Sequence, residues 1–548
     1  MTVAPHVTYP GVYIQEVESD VRTIAPVATA TTAFVGRAKR GPVNTPIVIN
    51  GFGDFQTRFG GLWEKSKLGF AVRDFFLNGG GQAVIVRVFH PDVKANESDP
   101  EPLNKAQLAI PGGLVLEAAE PGSWGNDLAA RVTTIADATI LAQVAEQLGV
   151  ETSDLFNLAI HDKGTGATEN FPNVTLVDSP RQVAAVLENG SDLVRVAAIP
   201  DPLKTPTVHT GPATPGKEWQ EAKAHTPVSK KATDGRALDQ VADKEEAPLP
   251  GDEGAKTGLY ALEHADIFNI LVIPPYKSTD GVANADVEAG VLTAAAAYCE
   301  KRRAILLLDP PSGWTSKEDA TDSKKLNALP SSPNAALYFP RVRQANPLRQ
   351  NQLEVNAPSG VVAGIMARTD ATRGVWKAPA GLEATIRGVH SLIVPLTDAE
   401  NGELNPLGVN CLRTMPAVGH IVWGARTRKG DDRLADQWKY LPVRRTALYI
   451  EESLYRGTQW AVFEPNDEPL WSQLRLNIGV FMHGLFRQGA FQGQSPKEAY
   501  FVKCDSTTTT QADIDRGIVN IVVGFAPLKP AEFVVIYIQQ ITGDLATG

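Results

Sequence analysis

The chain has 548 residues, 43% hydrophobic and 21% charged, with 47 Gly and 39 Pro, a globular composition that excludes a disordered or collagen-like chain. Its formal net charge of -10 disfavours nonspecific attraction to nucleic acid or to an anionic membrane. Three cysteines, Cys299, Cys411 and Cys504, make no CxxC and are too few to staple so long a chain, so all three are expected to be reduced.

At roughly 150 residues per domain the length predicts about three or four units. The first residues carry Pro5, His6 and Pro10 and no apolar run behind basic residues, which leads to an expectation of synthesis and folding in cytoplasm. Residues 12–17 read as a strand behind Pro10-Gly11. Short apolar runs predict strands at 33–36, 47–49 and 83–88. Before the last of these, residues 68–77 predict a helix with Val72, Phe75 and Phe76 on one face, ending at Asn78-Gly79-Gly80-Gly81. Phosphate loops run strand, loop, helix, and here the glycines follow a helix, so they read as a C-cap.

Residues 93–257 have a different texture, with strand-like runs at 114–117, 155–160 and 174–176, and predict an inserted, mainly-β outer domain. Within it, 201–257 holds many Lys, Glu, Asp and Ala and one aromatic, Trp219, which predicts an exposed polar loop. Lys163-Gly164-Thr165-Gly166 lacks phosphate-loop spacing. The α/β alternation then resumes: strand 267–273, helix 286–300, strands 304–308 and 336–339, helix 359–368. Residues 21–92 and 258–375 are therefore expected to form one discontinuous α/β middle domain, followed by a C-terminal domain over 376–530 that mixes helix and strand. Residues 533–541 read as a last strand behind Pro527 and Pro530, so the fold expected is α/β (α+β) and multidomain, with terminal arms at 1–20 and 531–548. The most apolar runs, 518–525 and 533–538, are far shorter than the roughly 20 residues of a membrane helix, and no membrane insertion is expected.

Chemistry-bearing motifs are sparse. Asp309-Pro310-Pro311 follows a buried strand, where α/β enzymes place carboxylates, but it has no GxSxG, HExxH or His–Cys partner and reads as a turn with a capping Asp. The nine His are scattered, Asp513-Ile514-Asp515 lacks the rest of a calcium loop, and Cys299 sits on an apolar helix face with Val291, Leu292, Ala295 and Ala296. No catalytic residue, cofactor or metal is expected. Residues 466–488 predict a solid amphipathic helix, with Asn466 able to cap, Asp467 and Glu468 at its positive end, Pro469 in its first turn, and Leu470, Leu474, Phe481 and Leu485 at helical spacing. Its polar side carries Ser472, Gln473, Arg475, His483 and Arg487, with no acid after Glu468, and reads either as a solvated face, the ordinary case, or as a basic strip aimed at an acidic partner.

The order of motifs resembles one family, the sheath proteins of contractile phage tails, R-type tailocins and related contractile injection systems. The resemblance lies in Tyr9-Pro10-Gly11-Val12-Tyr13-Ile14-Gln15-Glu16-Val17, Thr32-Ala33-Phe34-Val35-Gly36-Arg37-Ala38 and Phe70-Ala71-Val72-Arg73-Asp74-Phe75-Phe76-Leu77. It continues in Trp376-Lys377-Ala378-Pro379, Leu404-Asn405-Pro406, Gly424-Ala425-Arg426-Thr427, Val443-Arg444-Arg445, Phe463-Glu464-Pro465-Asn466 and Pro530-Ala531-Glu532-Phe533. It covers about 9–90 and 258–540 and leaves 201–257 without a counterpart. The resemblance implies a structural subunit that stacks in rings of six around an inner tube, in a metastable extended state, and contracts to drive the tube through a target envelope. It implies donor-strand arms shared between copies, here Val12, Tyr13, Ile14, Gln15, Glu16 and Val17, and Phe533, Val534, Val535, Ile536, Tyr537 and Ile538. Arg475, His483 and Arg487 become the candidate contact with the tube. Partners implied are further copies of the chain, a tube protein, and baseplate and terminator or cap proteins, within a particle assembled in the bacterial cytoplasm. An α/β nucleotide- or phosphate-binding enzyme, or a baseplate or tube component of the same machine, are the competing readings.

Overall fold

The computed structural model describes residues 22–93, 102–242 and 245–537. The expected strand at 12–17 and the last arm residue, Ile538, lie outside them. The chain is organised around an eight-stranded sheet built from β1 (Thr32–Gly36), β2 (Ile47–Ile49), β3 (Ala83–Arg87), β4 (Ile270–Val272), β5 (Ile305–Leu308), β6 (Ala335–Phe339), β7 (Val409–Met415) and β8 (Gly419–Trp423). Its order is β2-β3-β1-β4-β5-β6-β7-β8, parallel except at the two ends, where β2 and β8 run antiparallel to their neighbours. Strand residues point alternately to opposite faces. Ala33 and Val35, Val84 and Val86, Leu306 and Leu308 fill one core, while Phe34, Ile85, Ile305 and Leu307 fill the other. A sheet covered on both faces needs runs without polar alternation, and β1, β3, β5 and β6 are buried along their whole lengths.

The first face carries α2 (Ala289–Lys301), where Cys299 is buried among core residues as its helical position implies. The second carries α1 (Leu68–Leu77), α3 (Ser359–Arg373) and the start of α4 (Leu441–Gly457). α1 and α3 touch backbone to backbone: a Cβ on Gly360 would meet the Ala71 carbonyl oxygen at 2.4 Å and one on Gly364 the Phe75 oxygen at 2.4 Å. Only glycine permits that approach. Asn78 closes α1, its side-chain amide donating to the Asp74 carbonyl at 2.9 Å and its oxygen accepting from the Arg387 amide at 2.9 Å, so the glycines after it end a helix.

Several expectations are corrected in detail. The strand placed at 267–273 is Ile270–Val272, and the helix placed at 286–300 begins at Ala289 because Val282–Asp286 pairs with Lys277–Thr279 as a hairpin. Residues 409–423, expected within a separate unit after 376, supply β7 and β8 of the central sheet. The insertion is mainly β, with a sheet of Thr226–Pro227, Leu128–Thr133, Leu155–Asp162 and Thr168–Thr175, a second of Gln107–Ala109, Val115–Ala118 and Val194–Ala198, and a core of its own.

The segment 201–257 is largely exposed, as its composition implies, but it is tied across the surface. Leu238 and Leu249 enter the main core at 2% exposure each. The Arg37 guanidinium donates to the carbonyls of Asp234 and Gly235, the Asp234 carboxylate takes the Ser123 amide and the Lys65 ammonium, and Trp219 stacks on His161 with ring centres 4.8 Å apart. Composition indicates the exposure but not the ties, because the groups that hold the strap sit elsewhere in the sequence.

Candidate assembly interface

α4 and α5 (Glu468–Arg487), with the two-stranded sheet of β9 (Tyr500–Lys503) and β10 (Val522–Phe525), enclose a separate small core of Ile450, Ile478, Phe481, Met482 and Leu485. Ile24, from the chain just after the first described residues, is buried in it at 3% exposure. The site is shaped for it: a Cβ on Gly457 would lie 2.6 Å from Ile24. Arg22 lies over the Trp460 ring at 4.5 Å, and the Thr29 carbonyl accepts from Arg445 at 3.0 Å. Arg445 itself makes a two-pronged pair with Asp370 at 2.8 and 2.6 Å, which ties α4 to α3. Residues 22–29 are therefore fixed to this small core and to α4.

Near the other end of the described chain, residue 532 is held in the same way. Glu532 accepts from Arg426 Nε at 2.8 Å and Nη2 at 2.5 Å, and Arg426, 1% exposed, also donates to the carbonyls of Asn405 and Gly430 and to Asp432. Burial works against the Arg426 guanidinium, but the Glu532 carboxylate and Asp432 outweigh it and hold it above its ordinary range. One residue further on, the order changes. Phe533, Val534, Val535, Ile536 and Tyr537 are exposed at 77, 81, 68, 78 and 91%, and they join no ladder among the described residues. The residues have the β-branched and aromatic composition of a strand, yet they pair with no edge among the described residues.

β9 and β10 pair through four residues each, and among the described residues no third strand joins either outer edge. Phe501 and Val522 are exposed at 49 and 45%. Such an edge invites another strand.

On α5 the expected apolar positions, Leu470, Leu474, Phe481 and Leu485, are buried, and Asp467, rather than Asn466, caps it by accepting from the Leu470 amide. Asn466 instead bonds Trp471 Nε1 and the Ile518 carbonyl. The three expected tube-contact residues are not equivalent. His483 and Arg487 are exposed, whereas Arg475 is half-buried, paired to Glu468 at 2.5 Å and bonded to the Cys504 carbonyl. Arg475 is thus committed within its own chain. The outward stripe is Ser472, Leu476, Val480, His483 and Arg487, with Leu476 and Val480 exposed at 51 and 44%, an apolar element that a polar-face reading missed.

The remaining sequence candidates have structural tasks. The Asp309 carboxylate accepts from the Ser359 amide at 2.8 Å and hydroxyl at 2.7 Å, capping α3 from a distant strand end. Burial pushes its carboxyl up to about 6 against the pull of Ser359 and Arg341. Asp162 closes the turn at Lys163-Gly164-Thr165-Gly166 by accepting from the Gly164 amide and the Thr165 hydroxyl.

Comparison with known proteins matches residues 251–428 to the family description "Phage tail sheath protein central domain" and residues 435–541 to "Phage tail sheath C-terminal domain". The tail sheath protein of Burkholderia phage BcepMu is 23% identical over 505 residues, 88% of this chain and 87% of that protein. The tail sheath protein of Vibrio phage KVP40 is 27% identical over 175 residues, and there the alignment takes in 32% of this chain and only 24% of the relative. Among solved structures, the PVC sheath complex of an extracellular contractile injection system, in its contracted state, shares the fold with a TM-score of 0.56 at 22% identity, over 98% of each chain.

Proposed function

Because this chain belongs to the phage tail sheath family, whose central and C-terminal domains together take in more than half of it, we propose that it serves as a sheath link whose two arms are lent to neighbouring copies. Its role is structural, as a subunit of a contractile tail or injection particle. In this reading copies stack in rings of six around an inner tube, hold a metastable extended lattice, and repack into a shorter one that drives the tube through a target envelope. Energy stored in packing does the work, and the chain itself carries out no reaction.

The observation that carries the reading is the contrast at the C-terminal root. Up to Glu532 the chain is clamped by a buried arginine, and from Phe533 to Tyr537 it is a segment of strand-forming composition, largely exposed and without a ladder partner among the described residues. Residues 12–17 take the same part beyond the Ile24 root, and the open edges of β9 and β10 are the acceptor. Each donated main-chain hydrogen bond nets roughly 0.5–1.5 kcal/mol, so an arm of several residues makes a link that keeps the lattice connected while rigid bodies turn. On the tube side, α5 meets an acidic tube protein through His483 and Arg487, flanked by Leu476 and Val480, with Arg475 left out. Baseplate and terminator proteins close the two ends, and assembly takes place in the host cytoplasm.

Electron microscopy of the purified full chain, beside a chain ending at Glu532, tests the proposal. Hollow ribbed cylinders from the first and folded, unpolymerised protein from the second are expected. If the truncated chain polymerises equally well, the C-terminal arm is not a link.

A further inference from the structure

Between α4 and α5 the chain turns through Val462, Phe463 and Glu464, all exposed, with Phe463 wholly in water at 103% and Val462 at 63%. Phe463 has φ 70, the left-handed region that a bulky aromatic residue occupies only under strain. Among the described residues Glu464 makes no ion pair. A bare aromatic on a strained turn, beside an unpaired acid, has the form of a knob.

The matching surface is at the other end of α5. Gln488 and Gly489, just past that helix, line an open groove of about 970 Å³ whose walls include Trp376, Pro406 and Trp423 and whose rim is the root of the C-terminal arm, Leu528 to Phe533. Lys377 and Lys529 also line it, and neither is ion-paired among the described residues. Aromatic walls suit an aromatic side chain, and two ammonium groups outside any described ion pair suit Glu464, the carboxylates that also line the groove, Asp398 and Glu532, being paired to Arg413 and Arg426. The 20 residues of α5 set its ends about 30 Å apart, so the knob does not reach the groove of its own chain.

We propose that the Val462-Phe463-Glu464 turn of one copy seats in the Trp376/Trp423 groove of a second copy, with Glu464 against Lys377 and Lys529. The two surfaces differ, so the contact is head-to-tail and repeats from copy to copy, as a helical polymer requires. It adjoins the departing C-terminal arm, so knob and arm act in one interface. The inference rests on the sheath reading and adds which surfaces meet.

Charge reversal and cross-linking of the full chain test it. Glu464→Lys, and separately Lys377→Glu with Lys529→Glu, should each lower the sedimentable polymer fraction by about tenfold at low salt, and combining the three should restore it. Circular dichroism should be unchanged throughout, because these side chains are on the surface. Phe463→Cys with Ala378→Cys should give an oxidative ladder of multimers, since the three native cysteines are buried and neither single variant supplies both partners. Undiminished polymer from Glu464→Lys together with no ladder overturns the contact and leaves the sheath reading standing. Wild-type chain that never polymerises overturns the sheath reading and this contact with it.

Discussion

Removing one partner of the Arg445–Asp370 pair should destabilise the protein more than removing both. The pair joins α4 to α3 with side chains 2 and 4% exposed, through two short parallel bonds. Arg445→Met leaves the Asp370 carboxylate buried without its counter-charge, and Asp370→Leu leaves the guanidinium with only the Thr29 carbonyl. Stranding one charge of a buried pair costs about 3–5 kcal/mol, whereas exchanging both for apolar groups of similar volume is often close to neutral. The double variant, Asp370→Leu with Arg445→Met, should therefore recover most of what either single variant loses. A double-mutant cycle by urea unfolding reads this as a coupling of several kcal/mol. Single losses below about 1 kcal/mol, or losses that add, would refute the premise that α3 and α4 are locked as one body carrying the N-terminal root.

Other outcomes follow from the same geometry. Glu532→Gln should lower stability to urea by a few kcal/mol, because it takes the main counter-charge from a buried guanidinium and leaves it Asp432 alone, and should reduce polymer formation where the chain is still folded; sedimentation beside urea unfolding checks both, and normal polymer would argue that the clamp does not position the arm. Phe463→Gly should be about 1 kcal/mol more stable to urea than Phe463→Ala, since glycine alone relieves the left-handed backbone, while both weaken assembly; equal stability would remove strain from the account of the knob. The Asp309 carboxyl is raised in the fold, so the folded state binds its proton more readily than the unfolded one. The penalty for ionising it, about 3 kcal/mol at most, is present above about pH 6 and disappears as pH falls toward 4. Wild type should therefore gain on Asp309→Asn between pH 7 and pH 4 in urea midpoint, and a pH-independent difference would show that this carboxyl is not raised.

What the sequence revealed was what periodicity and local composition encode. The runs in β1, β3, β5 and β6 announce strands buried on both faces, and the Leu470, Leu474, Phe481 and Leu485 spacing announces α5, because each signal lies within one element. What it hid depends on partners far apart in the chain. Glu532 and Arg426 are 106 positions apart, and Asp309 and Ser359 are 50 apart, so neither clamp nor cap has a local signature. The strap at 201–257 is exposed as its composition implies, but its ties, Arg37, Ser123 and His161, belong to other segments. On α5 the charge count misled in a different way: Arg475 faces back to Glu468, seven residues earlier, which only a placed side chain reveals.

The two roots also decide where a lattice of such links would yield under load. Five exposed residues in the described part of the C-terminal arm can each contribute about one main-chain hydrogen bond, worth roughly 1 kcal/mol net apiece, and apolar side chains on the buried face of the strand add about 1.5–3 kcal/mol each. Ordering the backbone takes back about 1–2 kcal/mol per residue, so one seated arm is held by only a few kcal/mol. The Arg426–Glu532 root is a charge-assisted, two-bond contact to a buried cation, worth several kcal/mol if broken from one side. Root and seat are therefore comparable, and neither alone withstands a large force. In the proposed lattice connectivity would come from number: if each copy offers two arms and accepts others, a single arm can slip and reseat while its neighbours hold register. A lattice held this way can change pitch and radius without parting, whereas one strong isologous interface per copy would resist the rotation that shortening demands.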